Sequence, residues 1–176
     1  MPLRPDWQIL DVMDKEVLVQ QLTTKLRAIA RSAHESATAA QGEAATGATP
    51  KEKREDARVS IEFSSLAKGQ TARAKRAFAE VALLEGFKIR ASEGRKRVQV
   101  GSVVEIEDCE GGGGKTFFVA PVGAGTTLVG PDGDGFLTVV TPKSPIGVAV
   151  MGKRENAIVD VTIKGDVREW KITWVD

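Results

Sequence analysis

Residues 12–41 contain neither proline nor glycine, and this uninterrupted stretch limits what the chain can fold into. Within it, small and apolar residues recur at alternating spacings of three and four: Val19, Leu22, Leu26, Ile29, Ala33, Ser36 and Ala40. That spacing places them on one stripe of a helix, as in the seam of a coiled coil. A helix of this kind, about 45 Å long at 1.5 Å per residue, cannot bury its stripe alone and therefore requires a partner helix.

The partner helix is predicted to follow directly. Gly42 and Gly47 interrupt the first pattern, and Thr49 and Pro50 are residue types that begin a helix. From Pro50 to about Gly86 a second stripe recurs: Val59, Phe63, Leu66, Ala74, Ala77, Val81 and Leu84. Two helices joined by a short loop pack antiparallel, so residues 1–86 are predicted to form an N-terminal coiled-coil hairpin domain.

After Phe87 the apolar residues recur with a period of two, which is typical of β-strands. The predicted strands cover residues 97–100, 102–107, 116–120, 136–140, 158–163 and 170–174. The one helix predicted among them runs from Ile146 to Met151. Residues 87–176 are therefore predicted to form a C-terminal domain with a small antiparallel sheet and one short helix, which makes the fold class α+β.

Composition excludes several classes of protein. The chain carries 25 Lys and Arg against 24 Asp and Glu, so no overall basic excess indicates nucleic-acid binding by bulk charge. A single cysteine, Cys109, excludes an internal disulfide and fits a reducing compartment. Because neither a signal-peptide segment nor an apolar run of membrane-spanning length occurs, we expect a cytoplasmic protein that does not contact membranes.

Two segments have a superficial resemblance to chemical motifs. The run Gly111–Thr116 resembles a phosphate-binding loop, but strand-like residues follow it where that motif requires a helix, so we interpret it as a hairpin loop. The only histidine, His34, lies on the first predicted helix without the partners that a metal site or a catalytic triad needs.

Three carboxylates at the start of the second predicted helix form the most distinctive polar group. Glu52, Glu55 and Asp56 have i, i+3 and i+4 spacing, which places them on one helix face although like charges repel there. Carboxylate oxygens are preferred Mg²⁺ ligands, so this group could complete the coordination of an ion held by another molecule. The alternative is a purely structural role, because Glu52 also has the capping-box position relative to Thr49.

The segment from Thr141 to Glu155, which includes Ser144-Pro145-Ile146-Gly147 and Gly152-Lys153, resembles the C-terminal domain of the bacterial GreA/GreB transcript cleavage factors. The preceding long helices also resemble that family. The resemblance implies a C-terminal domain with an FK506-binding-protein-like fold that docks on bacterial RNA polymerase. It further implies that Ser144, Pro145 and Ile146 contact the rim of the polymerase secondary channel.

The same resemblance gives the carboxylates a role. Glu52 lies where the family has an Asp and Glu55 where it has a Glu, at the tip of a hairpin that enters the channel. They would share the Mg²⁺ of the polymerase, assist hydrolysis of backtracked RNA and thus act on the nascent RNA 3′ end indirectly. The factor would be a monomer that binds no cofactor alone and is not itself an enzyme.

Departures from the family pattern, which include the replacement of a usual tyrosine near Val59, leave alternatives open. Glu52 replaces the Asp, and Lys51, Lys53, Arg54 and Arg58 surround the acids, so the tip could instead serve a regulator or inhibitor of the polymerase without cleavage activity. Asn156-Ala157 replaces a Gly-Asp pair, but Asn tolerates the left-handed conformation that such a turn requires. A peptidyl-prolyl isomerase is a third hypothesis from fold analogy alone, and an aromatic content of 5 % weakens it.

Overall fold

The structure, a computed structural model, describes residues 12–46, 57–89, 97–130, 133, 135–163 and 165–176. Its internal contacts divide the chain into two compact units. The helical unit comprises Thr23–Glu85, and the sheet unit comprises Gly86–Asp176 together with the described residues up to Leu22. The sequence predicted a division into 1–86 and 87–176, whereas the first helix contributes residues to both units.

The helical unit is an antiparallel pair. Helix α1 spans Val12–Thr46 and helix α2 spans Ala57–Glu85. Among the described residues, the contacts that join them include the ion pair of Arg27 with Glu85 at 2.6 Å, the edge-to-face rings of His34 and Phe78 at 6.0 Å between centroids, and the hydrogen bond from Gln41 Nε2 to Thr71 Oγ1 at 3.1 Å. Each of these contacts lies seven residues later on α1 and seven residues earlier on α2 than the one before, which is the repeat of an antiparallel coiled coil.

Among the side chains that the structure describes, the buried seam of this unit consists mainly of alanine. Its buried members are Thr23, Leu26, Ala30, Ala33, Ala37 and Ala40 on α1, and Ala67, Ala74, Val81 and Leu84 on α2. The predicted stripes were therefore partly wrong, because Ile29 is 46 % exposed and Leu66 is 53 % exposed. Alanine allows two helices to approach closely, and the larger aliphatic side chains then lie at the flanks. Gly42 also does not end the first helix, which continues to Thr46.

After Glu85, the described residues of the sheet unit form six strands and one short helix. The elements are β1 Val103–Asp108, β2 Gly114–Val119, β3 Thr127–Val129, β4 Phe136–Val140, α3 Pro145–Val150, β5 Ile158–Ile163 and β6 Asp166–Val175. The strand order is β3-β4-β2-β1-β6-β5. A helix pair with a six-stranded sheet and one short helix confirms the predicted α+β class.

The sheet differs from the prediction in three respects. It is mixed rather than wholly antiparallel, because β2 and β4 pair in parallel. After β2 the chain crosses to the sheet edge, forms β3 there and returns as β4 between β3 and β2. Strand β3 was not predicted, and the predicted strand over residues 97–100 is reduced to a single bridge between Arg97 and Arg154.

The two faces of the sheet have different surroundings. One face forms a core that includes Ile106, Phe117 and Ile172, and Ile146 and Ala149 of α3 pack against it. On the opposite face, Val103 of β1 and Phe118 of β2 are completely buried. On β5 and the part of β6 paired with it, the side chains that point to this opposite face are exposed, as at Ile158 and Val167. The two faces follow from the strand alternation, in which successive side chains point to opposite sides.

Within the sheet unit, polar contacts join the first part of α1 to strand β3 and to the C-terminal residue Asp176. The Nε2 atom of Gln21 donates to the carbonyl oxygen of Val129 at 3.0 Å, and the Oε1 atom of Gln21 accepts from the N–H of Val129 at 3.1 Å. Because β3 is an edge strand, this side chain pairs with backbone groups that would otherwise be open to another strand. Lys15 and Asp176 form a buried ion pair at 3.2 Å, with side chains 7 % and 6 % exposed.

Candidate functional site

The loop before α3 is held by the side chain of Ser144. Its hydroxyl donates to the carbonyl oxygen of Thr141 at 2.8 Å and accepts from the N–H of Gly147 at 3.1 Å. Ser144 is thus the N-cap of α3, and Pro145 follows in the first turn, where proline fits a helix. The sequence order Ser-Pro therefore fixes the direction in which the helix leaves the loop.

Gly147 is required by the same loop. A Cβ atom at this position would lie 1.9 Å from the carbonyl oxygen of Thr141, which is far inside van der Waals contact. The absence of a side chain allows the loop backbone to pass directly over the first turn of α3. The Ser-Pro-Ile-Gly order is accordingly a structural unit, in addition to any role in binding.

The chain after α3 is fixed to the rest of the sheet unit by backbone contacts. Gly152 has a φ of 73°, and its N–H donates to the carbonyl oxygen of Val98 at 2.8 Å. The N–H of Val98 donates in turn to the carbonyl oxygen of Lys153 at 2.9 Å. Asn156 has a φ of 67°, which confirms that Asn adopts the left-handed conformation at the position where the family pattern has glycine.

The structure separates the three predicted contact residues. Ser144 uses its hydroxyl within the loop, and Ile146 is half-buried against the core. Pro145 is exposed, and so is Val148, at 66 %. Val148 was missed from the sequence, although its position three residues after Pro145 places both on the same helix face. The accessible part of this site, which we call the α3 surface, therefore consists of Pro145 and Val148 with Lys143 beside them.

The predicted carboxylate group, Glu52, Glu55 and Asp56, lies outside the described residues, as do Thr49 and Pro50. Among the residues that the structure describes, no group of three His, Cys, Asp or Glu side chains could hold a metal ion. His34 contacts the ring of Phe78 instead.

The glycine run has the structure of a hairpin loop. It connects β1 to the antiparallel β2, and the N–H of Gly111 donates to the carbonyl oxygen of Asp108 at 3.1 Å. Gly111 and Gly113 have φ values of 90° and 86°, which L-residues rarely adopt. Since a strand follows where a phosphate-binding loop requires a helix, the hairpin interpretation is confirmed.

Comparison with known protein families gives a match over residues 92–176, to the family described as "Transcription elongation factor, GreA/GreB, C-term". This range includes all six strands and α3. Residues 92–176 are therefore similar to the C-terminal domain of the GreA/GreB family. The resemblance predicted from the segment around Ser144 is thereby confirmed, and the α3 surface lies within the residues that match the GreA/GreB C-terminal domain.

Solved structures of similar proteins carry the name Gfh1. One, described as the structure of the transcription factor Gfh1, is 21 % identical, with 92 % of each chain covered and a TM-score of 0.38. Gfh1 of Thermus aquaticus is also 21 % identical, over 89 % of this chain and 92 % of its own, at the same TM-score. GreA factor homolog 1 of Thermus thermophilus is 20 % identical over 92 % and 94 %, again with a TM-score of 0.38. A comparison with curated proteins gives no match.

In the described part of the chain, neither long helix has an apolar segment that could cross a membrane.

Proposed function

We propose that this protein is a Gre-type elongation factor that binds bacterial RNA polymerase at its secondary channel and stimulates cleavage of backtracked RNA. The single observation that carries this proposal is the GreA/GreB match over residues 92–176. The factor acts as one copy, as an accessory to the polymerase rather than as an enzyme of its own, and the polymerase supplies the Mg²⁺.

The α3 surface is the proposed docking site on the channel rim. Pro145 and Val148 present apolar groups on a helix that is capped at one end by Ser144 and tied at the other to Val98. A small apolar surface on a rigid support loses little conformational freedom when it binds. Ser144 acts by positioning this helix, and Ile146 anchors it in the core.

The helical unit is the proposed arm. Helix α2 is about 44 Å long at 1.5 Å per residue, and its alanine seam keeps the helix pair thin. Glu52 and Glu55 would be carried by this arm and would complete the coordination of the Mg²⁺ held by the polymerase. Held in this way, Mg²⁺ would supply the activation of a water molecule that hydrolysis of the RNA phosphodiester requires.

A cleavage assay tests the proposal. The natural chain is added with Mg²⁺ to a stalled, backtracked elongation complex, and the RNA length is followed with time. We expect the natural chain to shorten the RNA, and the double variant Glu52→Ala/Glu55→Ala to lose that stimulation by about two orders of magnitude or more, the range seen when a group that positions a catalytic metal or water is removed.

The control Glu16→Ala/Glu35→Ala removes two exposed carboxylates from α1 instead, and with this variant the RNA should be shortened as with the natural chain. RNA of unchanged length with the natural chain would exclude the cleavage role.

A second candidate, a channel-binding regulator without cleavage activity, is favoured by one feature of the sequence. Four basic residues, Lys51, Lys53, Arg54 and Arg58, surround the acids and can neutralise them. Under this alternative the natural chain changes the rate of RNA synthesis but not the length of backtracked RNA. Replacement of Glu52 and Glu55 by Ala then leaves that effect nearly intact.

A further inference from the structure

One part of the sheet has no covering element among the described residues. On this side of the sheet Val103 of β1 and Trp174 of β6 are buried, but the other side chains of β1, β6 and β5 that point away from α3 are solvent-accessible. We call this accessible set the uncovered face: Glu105, Glu107, Val167, Glu169, Lys171, Ile158, Asp160 and Thr162. Their neighbours in sequence, such as Ile106, Trp170 and Val159, point to the opposite side and are buried in the core. The alternation shows that the uncovered face is a continuous surface across three adjacent strands.

The charges on this face are predominantly negative. The strand register pairs Asp160 of β5 with Glu169 of β6, so two carboxylates lie directly opposite each other. It pairs Glu107 of β1 with Lys171 of β6. Four carboxylates therefore share the face with one ammonium group. Like charges opposite each other on adjacent strands destabilise a sheet, so the fold alone does not favour this arrangement.

The pKa of Glu105 is affected by a second pair of neighbouring carboxylates on this face. Its pKa is raised because the side chain is partly desolvated and because the charge of Glu107 lies nearby on the same strand. A cation brought to this face would relieve the repulsion between the two carboxylates.

Two aliphatic side chains interrupt the charged residues. Ile158 and Val167 are each 62 % exposed, on β5 and β6 respectively. Branched aliphatic side chains at the outward positions of a charged sheet face give a partner apolar contacts between its ionic ones.

We propose that the uncovered face binds a basic segment of another protein, in which Lys or Arg side chains alternate with aliphatic ones. Charge complementarity selects this occupant, because the phosphates of a nucleic acid would be repelled by the carboxylates. A bound metal ion is the weaker choice, since the described carboxylates do not converge into a group that could hold one. This inference is independent of the proposed function, and its test contains no polymerase.

The test uses a synthetic probe and the full chain. A short fluorescein-labelled peptide of Lys-Val repeats is titrated with the protein, and binding is followed by fluorescence anisotropy at low ionic strength. A peptide of Glu-Val repeats is the matched control probe. We expect the Lys-Val peptide to bind and the Glu-Val peptide not to bind. The affinity of the Lys-Val peptide should fall steeply when NaCl is raised to about 0.5 M, because screening weakens exposed ion pairs.

Variants then locate the binding surface. Glu107→Gln/Glu169→Gln removes two carboxylates from the uncovered face and should weaken peptide binding roughly 2- to 30-fold, as expected for the loss of two exposed ion pairs. The control Glu16→Gln/Glu35→Gln removes the same charge from α1 and should bind like the natural chain. Circular dichroism spectra and thermal unfolding of each variant confirm that it is folded.

Several results would overturn the proposal. They are absence of binding by the natural chain, equal binding of the two peptides, or equal affinity of the two double variants. Displacement of the peptide by millimolar Mg²⁺ at matched ionic strength would identify a cation site instead. A dimer of the natural chain in sedimentation equilibrium that the face variant abolishes would identify a second copy of this chain as the occupant.

Discussion

The tightest steric restriction in the α3 surface is at Gly147. Replacement by Ala would force a Cβ atom towards the carbonyl oxygen of Thr141, and the hydroxyl of Ser144 is hydrogen-bonded to both Thr141 and Gly147, which opposes their separation. We expect Gly147→Ala to lower the free energy of unfolding by about 1–3 kcal/mol, as for other overpacked sites. Urea denaturation of both proteins measures the difference.

Gly69→Ala provides the control for this prediction. Gly69 lies inside α2, and a Cβ atom there would meet nothing within 4 Å. Because Ala has a higher helix propensity than Gly, this substitution should raise the free energy of unfolding by about 0.5–1 kcal/mol. Equal effects of the two substitutions would contradict the steric explanation.

The carboxyl group of Glu105 gives the stability of the sheet a pH dependence. Its pKa is raised in the folded state by desolvation and by Glu107, so between the unfolded and folded pKa values the folded protein binds more protons. This group therefore contributes stability at acidic pH that is lost as the pH rises from the ordinary glutamate pKa of 4.5 through the raised pKa of the folded state.

We expect Glu105→Gln to unfold at a higher temperature than the natural chain at pH 7, and the difference to shrink towards pH 4.5. Thermal unfolding followed by circular dichroism at several pH values measures it. Glu35→Gln, on the exposed surface of α1, is the control. A Glu105→Gln effect that does not change with pH would show that the charge is not its cause.

For the helix pair, we expect substitutions at the alanine positions of the seam to lower the stability of the protein. Substitutions of the larger aliphatic residues beside them should have little effect on stability. Ala30 is completely buried, whereas its neighbour Ile29 is 46 % exposed. Ala30→Leu would separate the closely packed helices and should cost about 1–3 kcal/mol of stability, while Ile29→Ala should change it by less than about 0.5 kcal/mol. Denaturant titrations compare them, and the reverse ranking would support the stripe predicted from sequence.

The seam also shows where sequence reasoning succeeds and where it stops. The change from a period near 3.5 to a period of two at Phe87 is local information, and it predicted the helix pair, the sheet and the bounds of β5 at Ile158–Ile163. The register of the seam depends on how closely the second helix approaches. Hydrophobicity ranks Ile29 above Ala30, but close packing selects the smaller side chain.

The parts of the sheet that were missed share a non-local cause. Strand β3 has only three residues, in a glycine-rich region, so its sequence carries almost no periodic signal. The parallel pairing of β2 with β4 depends on a crossover that no short pattern records. Among site residues, Val148 could have been found from its helical spacing to Pro145, whereas the uncovered face depends on the register of three strands.

For the molecule as a whole, the proposed function assigns docking and cleavage to different residues, so the two should be separable. Val148→Asp places a charge on the α3 surface and leaves Glu52 and Glu55 unchanged. Leu83→Asp is the matched control, because Leu83 is 61 % exposed on α2, outside the proposed docking site. Val148→Asp should lose stimulation of RNA cleavage because it no longer binds, whereas Leu83→Asp should retain it.

Competition distinguishes these two ways of losing activity. Glu52→Ala/Glu55→Ala keeps the α3 surface, so an excess of it should occupy the polymerase and suppress cleavage stimulated by the natural chain. An equal excess of Val148→Asp should not suppress it, because a charge in an apolar contact costs about 1–3 kcal/mol of binding, or roughly 5- to 150-fold in affinity. RNA length measured against increasing variant concentration gives both curves. If both variants suppress cleavage equally, the chain docks through a surface other than α3, and the helix fixed by Ser144 has only a structural role.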